Sequence, residues 1–477
     1  MYHGLYQCNT WYTFEVDIKV SISRAQQIAD SLIQQIGSGR LLPGARLPSI
    51  RVAAEGHGVS KNTVTDAYDR LVATGYIHPR RGSGFYVQSA SPAPSISRSE
   101  HVIEAVDVVS LLREQLNQHY EVRAGDGRLP ATWMESSEIG RYLKRTSNAT
   151  DYSDDFEYGR PQGLEVLRED VARALNDRSI NTSPDQVLMT FGANHALDLI
   201  VRHFVQAGDT VLVETPGYYP MFSKLKLQKA KVVGVNRQSD GPDLDMLEEK
   251  IRAHRPKLFF VQPMAHNPTG TSMSLQKMHR LLTLAEKYDL VIIEDDPFAD
   301  ILPKATPHLA SLDALNRVIY VGTFSKTLSA SLRCGYIAAS PELIASLTDI
   351  KMLTVVSSSG ITERLVHEMI VRGRYRRHLK RLRDRVANAS IDAVSALHGI
   401  GLDRVESPTG GYYIWCPLPV GVDSMDLTVR AARQGIFLAP SRLFELTSSA
   451  GNEALRVNIA HANNHKFLNF MKSALGS

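Results

Sequence analysis

The sequence predicts two folds in series. A small α+β head of three helices and a two-stranded hairpin comes first. A large α/β domain with a mainly parallel sheet follows, ending in a smaller α+β subdomain. Three observations predict this order. Residues 23–87 break into short helical periods that end in "YIHPRRGSGFYV", two short strands around a glycine-rich tip. From about Val106 amphipathic helices alternate with apolar runs: "QVLMTFG" (186–192), "TVLVETPG" (210–217), "KLFFVQP" (257–263), "LVIIEDD" (290–296) and "RVIYVGT" (317–323). Buried strands that alternate with helices form parallel sheets covered on both faces. Between the two patterns lies "SASPAPSISRSEH" (89–101), rich in Ser and Pro with no apolar period, which reads as a linker. The expected boundaries are 17–88 for the head, 89–105 for the linker and 106–477 for the large domain, with the smaller subdomain from about 345.

Composition excludes several classes. A chain of 477 residues, 43% hydrophobic and 22% charged, is globular and too long for one core. No apolar run is long enough for a bilayer, and "MYHGLYQCNTWYTFEVDIKV" lacks the basic and apolar regions of a signal peptide. Cys8, Cys334 and Cys416 stand far apart, with no CxxC pair and no histidine cluster. Neither a disulfide framework nor a metal site is expected, and a reducing cytoplasm is the expected location. The net charge is only +4, but nine basic against six acidic residues in 1–90 put +3 of it at one end. A nucleic-acid-binding head carries its charge in this way.

In the head, Ile28, Leu32, Ile33 and Ile36 form the apolar face of a first helix that stops at Gly37–Gly39. "LPSIRVAAEGHG" is a short second helix begun at Ser49, and "VSKNTVTDAYDRLVATG" a third, capped by Ser60 and ended by Gly75. Two helices joined by a short turn, the second opening on small polar residues and a lysine, suit the major groove. Ser60, Lys61, Asn62 and Thr63 would reach base edges or phosphates, while Arg51, Arg80 and Arg81 would sit on the DNA backbone. Three-helix units of this pattern also serve protein contacts, so the pattern alone leaves both uses open.

In the large domain, polar groups gather at the ends of successive strands, where open α/β sheets bind ligands. "FGANHAL" offers Gly192, Ala193 and Asn194 at a helix start, suited to a phosphate. "ETPGYYP" places Tyr218 at a strand end, "HNPTG" presents Asn267 in a turn, and "IIEDDPF" leaves Asp295 just past an apolar strand. "GTFSKTLSASLRCG" supplies Thr323, Ser325, Lys326 and Arg333. A neutral lysine amine for an aldehyde, a carboxylate for a pyridine nitrogen, an aromatic for a ring, and hydroxyls with an arginine for a phosphate are what pyridoxal phosphate requires. Each element alone is ordinary; the set in this order is not.

These residues carry two resemblances. "GRLLPGARLPSIRVAA…VSKNTVTDAYDRLVATGYI…RRGSGFYV" resembles the GntR-type winged helix-turn-helix, which implies dimeric binding to a double-stranded DNA operator. "YGRPQGLEVLREDVARAL", "GANHAL", "ETPGYYP", "HNPTG", "EDDPF" and "GTFSKTLSASLRCGYIA" resemble a fold-type I, class I/II aminotransferase domain. That resemblance implies that Lys326 forms the internal aldimine, Asp295 pairs with the pyridine nitrogen, Tyr218 stacks, and Thr323 and Arg333 hold phosphate. "ALRVNIAHAN" is similar to the segment whose arginine, Arg456 here, grips the carboxylate of an amino-acid ligand. Phe298 stands where many relatives carry a tyrosine that bonds the ring oxygen, so tuning of that oxygen would rest on Asn267. Head and body together resemble the MocR-type regulators. This implies a head-to-tail homodimer in which an amino-compound effector exchanges with Lys326 and alters operator binding. An active aminotransferase carrying a DNA-binding head is the alternative, since both uses need the same lysine. "AGDGRLPATWM" (124–134) and Arg456 point to an effector that bears a carboxylate or sulfonate.

Overall fold

The computed structural model describes residues 23–37, 40–80, 82–88, 120–134, 139, 157–303, 305–446 and 453–476. The chain divides into two units, Met1–Ser97 and Arg98–Ser477. Arg81, the linker 89–105 and the interval 106–119 lie outside the described residues.

In the first unit, α1 (Arg24–Gly37), α2 (Ile50–His57) and α3 (Lys61–Ala73) precede an antiparallel hairpin of β1 (Ile77–Arg80) and β2 (Gly84–Val87). Ser49 and Ser60 cap α2 and α3 as expected, their hydroxyls accepting from the N–H groups of Val52 and Thr63. Ile28, Leu32, Val64, Tyr68 and Leu71 are buried together. Ile33 and Ile36, expected on the same apolar face, are only half-buried and pack against this cluster from its edge. The Tyr68 hydroxyl donates to the Pro48 carbonyl, tying α3 to the segment that opens α2.

The second unit is built on one eight-stranded sheet among the described residues. Its strands are β3 (Val187–Thr190), β4 (Thr210–Thr215), β5 (Lys231–Gln238), β6 (Gly241–Pro242), β7 (Leu258–Val261), β8 (Val291–Asp296), β9 (Val318–Thr323) and β10 (Gly335–Ala338). The order is β3-β10-β9-β8-β7-β4-β5-β6. β9, β8, β7, β4 and β5 run parallel, while β10 is antiparallel to both β9 and β3. β3 therefore points the same way as β9, and the C-terminal ends of β3, β4, β7, β8 and β9 share one edge. Alternate residues feed two cores: Leu212, Phe259, Val261 and Ile292 one, Val211, Val213, Phe260 and Ile293 the other. Both faces are thus covered, as a run of uninterrupted apolar strands requires.

Helices α4 (Glu165–Asn176), α5 (Ala193–Phe204), α6 (Tyr219–Leu227), α7 (Leu244–His254), α8 (Leu275–Tyr288) and α9 (Leu309–Asp313) alternate with these strands. α10 (Pro341–Val355), α11 (Gly360–Val371) and the long α12 (Arg374–His398) follow. Then β11 (Tyr413–Pro417) and β12 (Ala454–Asn458) pair antiparallel, with α13 (Ser424–Arg433) between them and α14 (Ile459–Ala462) and α15 (His465–Leu475) after them. Among the described residues no helix is long and apolar enough to cross a membrane.

Candidate functional site

The shared strand edge gathers the expected residues. β8 ends in Glu294, Asp295 and Asp296, and strand alternation sends neighbours to opposite faces. Asp296 turns to His308 and the Tyr320 hydroxyl, at 3.2 Å each. Burial works against a charge on His308, but Asp296 and Glu294 outweigh it and raise its pKa to about 10. Asp295 turns the other way, is 3% exposed, and accepts from Gln262 Nε2 at 2.7 Å. Its Oδ1 is buried without a partner. Burial first, and then neighbouring Asp296, push its pKa up to about 7 against the pull of Gln262 and Lys326.

Gln262, at the end of β7, is a residue that pattern reading missed. One buried amide between an apolar strand and a proline reads as loop. In the fold it joins two site residues, because its Oε1 accepts from the Asn267 N–H at 3.1 Å while its Nε2 holds Asp295. The turn that carries Asn267 is framed from below. Arg237 on β5 is ion-paired with buried Glu214 and donates to the Thr271 carbonyl at 3.2 Å. Gly270 closes the turn at φ +70°, and a Cβ there would lie 2.3 Å from the Tyr413 carbonyl oxygen. Only glycine fits that approach.

At the β3 end, Gly192 caps α5 at φ +75° with no side-chain cap, so the first N–H groups of the helix are left to other partners. Ala193 and Asn194 open the helix, Ala193 half-buried and Asn194 exposed. A Cβ on Gly335 would lie 2.7 Å from the Gly192 Cα, so β10 runs directly beneath this helix start. Arg333 reaches across, donating to the Phe191 carbonyl at 3.0 Å and lying 3.5 Å from Ser325 Oγ. Thr323 Oγ1 is engaged locally, donating to the Cys334 carbonyl and accepting from the Ser325 N–H. The Tyr218 ring stacks on Phe260, centroids 6.2 Å apart. Burial and the nearby Asp295 carboxyl push its phenol above the ordinary range.

Lys326 donates to the Gly127 carbonyl at 2.5 Å and lies 3.5 Å from the Tyr413 hydroxyl, which itself donates to Gly127 at 2.9 Å. Arg456, on β12, is 2% exposed. It donates to Asn267 Oδ1 at 3.0 Å and to the Gly125 carbonyl at 2.7 Å, and its Nε is buried without a partner. Its guanidinium lies over the rings of Tyr413 and Phe444, 4.7 and 5.0 Å from their centroids. The Asn267 carbonyl is thus engaged by Arg456, which leaves the amide NH2 to a ligand. Phe298 is fully buried against Tyr412 and Tyr413. Tyr413 was also missed by pattern reading, although "GGYY" marks its place, while the carbonyls of Gly125 and Gly127 belong to the segment 124–134 expected near the effector.

In the head, Ser60 and Thr63 hydroxyls contact each other at 2.8 Å and Ser60 accepts from the Thr63 N–H, so both take part in capping α3. Lys61 and Asn62 are exposed on its first turn. Arg51 is exposed and paired with Glu55 at 3.3 Å, and Arg80 lies over the Tyr86 ring at 4.5 Å.

Residues 124–473 match the family described as Aminotransferase class I and II, and residues 24–87 match Bacterial regulatory proteins, gntR family. The probable rhizopine catabolism regulatory protein MocR of Rhizobium meliloti is 31% identical over 77% of this chain and 76% of its own. The HTH-type transcriptional regulator NorG of Staphylococcus aureus (strain USA300) is 26% identical over 88% of this chain and 96% of its own. Among solved structures, LysN, the α-aminoadipate aminotransferase of Thermus thermophilus, superposes with a TM-score of 0.71 at 27% identity, covering 78% of this chain and 96% of that one. The kynurenine aminotransferase of Pyrococcus horikoshii gives 0.70 at 26% identity, covering 80% and 95%.

Pyridoxal phosphate is the cofactor of the class I and II aminotransferase family, and the residues present fit it. The unpartnered, buried Asp295 Oδ1 suits a cationic ring nitrogen. The uncapped start of α5 beside Arg333 and Ser325 suits an anion, and the close Gly192–Gly335 approach shapes that seat. The Lys326 amine stands at the mouth of the same edge. A DNA-binding gntR head and an aminotransferase body in one chain, with a relative of the same make-up at 31% identity, decide the assignment: this chain belongs to the class I and II aminotransferase family and, within it, to the MocR-type transcriptional regulators.

Proposed function

We propose that the chain is a cytoplasmic sensor, not a metabolic enzyme. In this reading Lys326 gives way to a primary amine carrying a carboxylate or sulfonate, and the exchange alters operator binding by the head. One observation carries the reading: Lys326 meets the hydroxyl and Arg456 the ring face of one phenol, Tyr413, in a chain that also bears a DNA-binding head. An amine nitrogen and a carboxylate on one small molecule match those two groups.

When bound, the cofactor supplies a carbonyl carbon that exchanges one amine for another and a ring nitrogen that draws charge toward it. Asp295 holds that nitrogen, and Gln262 orients Asp295. Arg333, Ser325 and the start of α5, with Ala193 and Asn194, would hold the phosphate, joined by Thr323 once its hydroxyl turns from the Cys334 carbonyl, and Tyr218 and Asn267 would fix the ring. Arg456 receives the effector's acid group and must loosen its bond to the Gly125 carbonyl to do so. Lys61 and Asn62 at the start of α3 approach the operator, and Arg51, Arg80 and Arg81 its phosphates.

The working unit is a homodimer with heads arranged head to tail. Exposed apolar residues on α10 and α11 and between them support a dimer: Leu353 is 88% exposed, and Met352, Val355, Val356 and Ile361 are exposed in the same stretch. Apolar side chains grouped on one exposed stretch call for a covering partner, and a second copy supplies it. Two heads on one dimer make the second DNA contact intramolecular. In this reading the head spans 17–88, the linker 89–105 and the sensing and dimerising domain 106–477.

A ligand shifts DNA binding only by its preference for one state, commonly about 5–150-fold. The test is operator binding by the purified protein, with pyridoxal phosphate, against a panel of amino acids and aminosulfonates. The hit is the compound that removes the absorbance of lysine-bound cofactor and changes operator affinity. If Lys326→Ala protein responds to that compound unchanged, the mechanism is wrong. Sustained turnover with an oxo-acid acceptor would make the chain an enzyme.

A further inference from the structure

The exchange of amines raises a question that the fold answers: where the displaced lysine nitrogen goes. When an effector amine replaces Lys326, one C–N bond forms as another breaks. The lysine nitrogen carries one hydrogen while joined to the cofactor, two protons of the entering ammonium pass to it, and nothing is oxidised or reduced. Lys326 therefore leaves as an ammonium with three N–H donors, which needs acceptors close by.

Two oxygens meet it. The Gly127 carbonyl lies 2.5 Å from Nζ and the Tyr413 hydroxyl 3.5 Å. The phenol donates its own hydrogen to Gly127 at 2.9 Å, so its oxygen lone pairs are left to accept. Its ring cannot swing away, because Tyr413 is 1% exposed, edge-on to Phe298 and Tyr412, with Arg456 over one face. Phe298 brings no hydroxyl of its own, so the phenol comes from β11, whose Tyr413 packs edge-on to Phe298.

We propose that Tyr413 is a positioning residue: its hydroxyl, fixed by the Gly127 carbonyl, seats the Lys326 nitrogen whenever that nitrogen is not joined to the cofactor. The proposal rests on reading Lys326 as the cofactor lysine. It adds that the exchange is reversible because the displaced group is parked within reach. It also places the same phenol against Arg456, so a side chain that seats the lysine also borders the acid-binding group.

The test is Tyr413→Phe, which keeps the ring and removes one oxygen. In cofactor-free protein at a single pH, acylation of Lys326 is followed by peptide mass spectrometry, with exposed Lys380 as internal control. A hydrogen bond to a charged group, weakened by the 3.5 Å separation, predicts acylation of Lys326 about 3- to 10-fold faster with Lys380 unchanged. In loaded protein, about 3- to 10-fold more effector should be needed to remove half the absorbance of lysine-bound cofactor. Both values within twofold of wild type, in a variant with wild-type circular dichroism and melting, overturn the proposal. Should Tyr413→Phe fail to fold, a ring-fluorinated tyrosine at 413 keeps the shape and weakens the acceptor, and faster Lys326 acylation is again required. The acylation readout uses neither DNA nor effector, so the sensor reading and this one fail separately.

Discussion

Replacing Asp295 by Asn should make the cofactor-free protein more stable, and increasingly so as pH rises. Asp295 is buried, with one oxygen on Gln262 and the other unpartnered, and its pKa is pushed from 3.8 to about 7. The folded chain therefore holds this proton more tightly than the unfolded chain does. Between pH 4 and pH 7 the folded state binds more protons, so its stability falls as pH rises, by about 1.4 kcal/mol for each pH unit crossed. Over that window the loss reaches about 4 kcal/mol, an upper order of magnitude for a single carboxyl. Asparagine has no proton to lose and keeps an oxygen for Gln262. The variant's advantage should thus be near zero at pH 4 and plateau above pH 7. Urea unfolding of both cofactor-free proteins at half-unit steps, followed by tryptophan fluorescence, to which Trp415 on β11 contributes, measures it. Midpoints that differ equally at pH 5 and pH 8, or a less stable variant at pH 8, would refute the reasoning. Binding should move the other way: the amide cannot neutralise a ring cation, so pyridoxal phosphate affinity should fall even as the empty fold gains.

Gln262→Leu strips Asp295 of its hydrogen bond and leaves the Asn267 N–H unpartnered; cofactor affinity from absorbance titration should drop about 10- to 100-fold, at roughly 1–3 kcal/mol for a buried polar group left unmade. Arg456→Lys keeps the charge but loses the planar fork that donates to Asn267 and Gly125; calorimetry should show effector binding weakened by about tenfold or more with cofactor retention unchanged. Lys61→Ala should lower the salt dependence of operator binding by about one phosphate contact, read as the slope of log affinity on log salt. Ser60→Ala removes the cap of α3 and should destabilise the head by about 1 kcal/mol in thermal melts.

Much of this molecule is written locally. Apolar runs bounded by polar ends are visible one strand at a time, and β3, β4, β7, β8 and β9 all fall within the runs from which they were expected. Ser49 and Ser60 mark helix starts because a cap is a contact between residues three apart. β5 and β10 were harder to see: β5 has a half-exposed edge pattern, and β10 is four residues long and antiparallel to its neighbours.

The sequence by itself determined the two-part plan, the strand ends, and which residues could meet a carbonyl, a ring nitrogen and a phosphate, because period and side-chain chemistry are local properties. Only the tertiary structure decided what each of them touches. Arg456 bonds a carbonyl 331 residues away, Lys326 one 199 residues away, and the phenol between them donates across 286. No spacing rule reaches that far. Such meetings follow from which strand lies beside which, and from glycines at 270 and 335 that let backbones approach where a Cβ would collide.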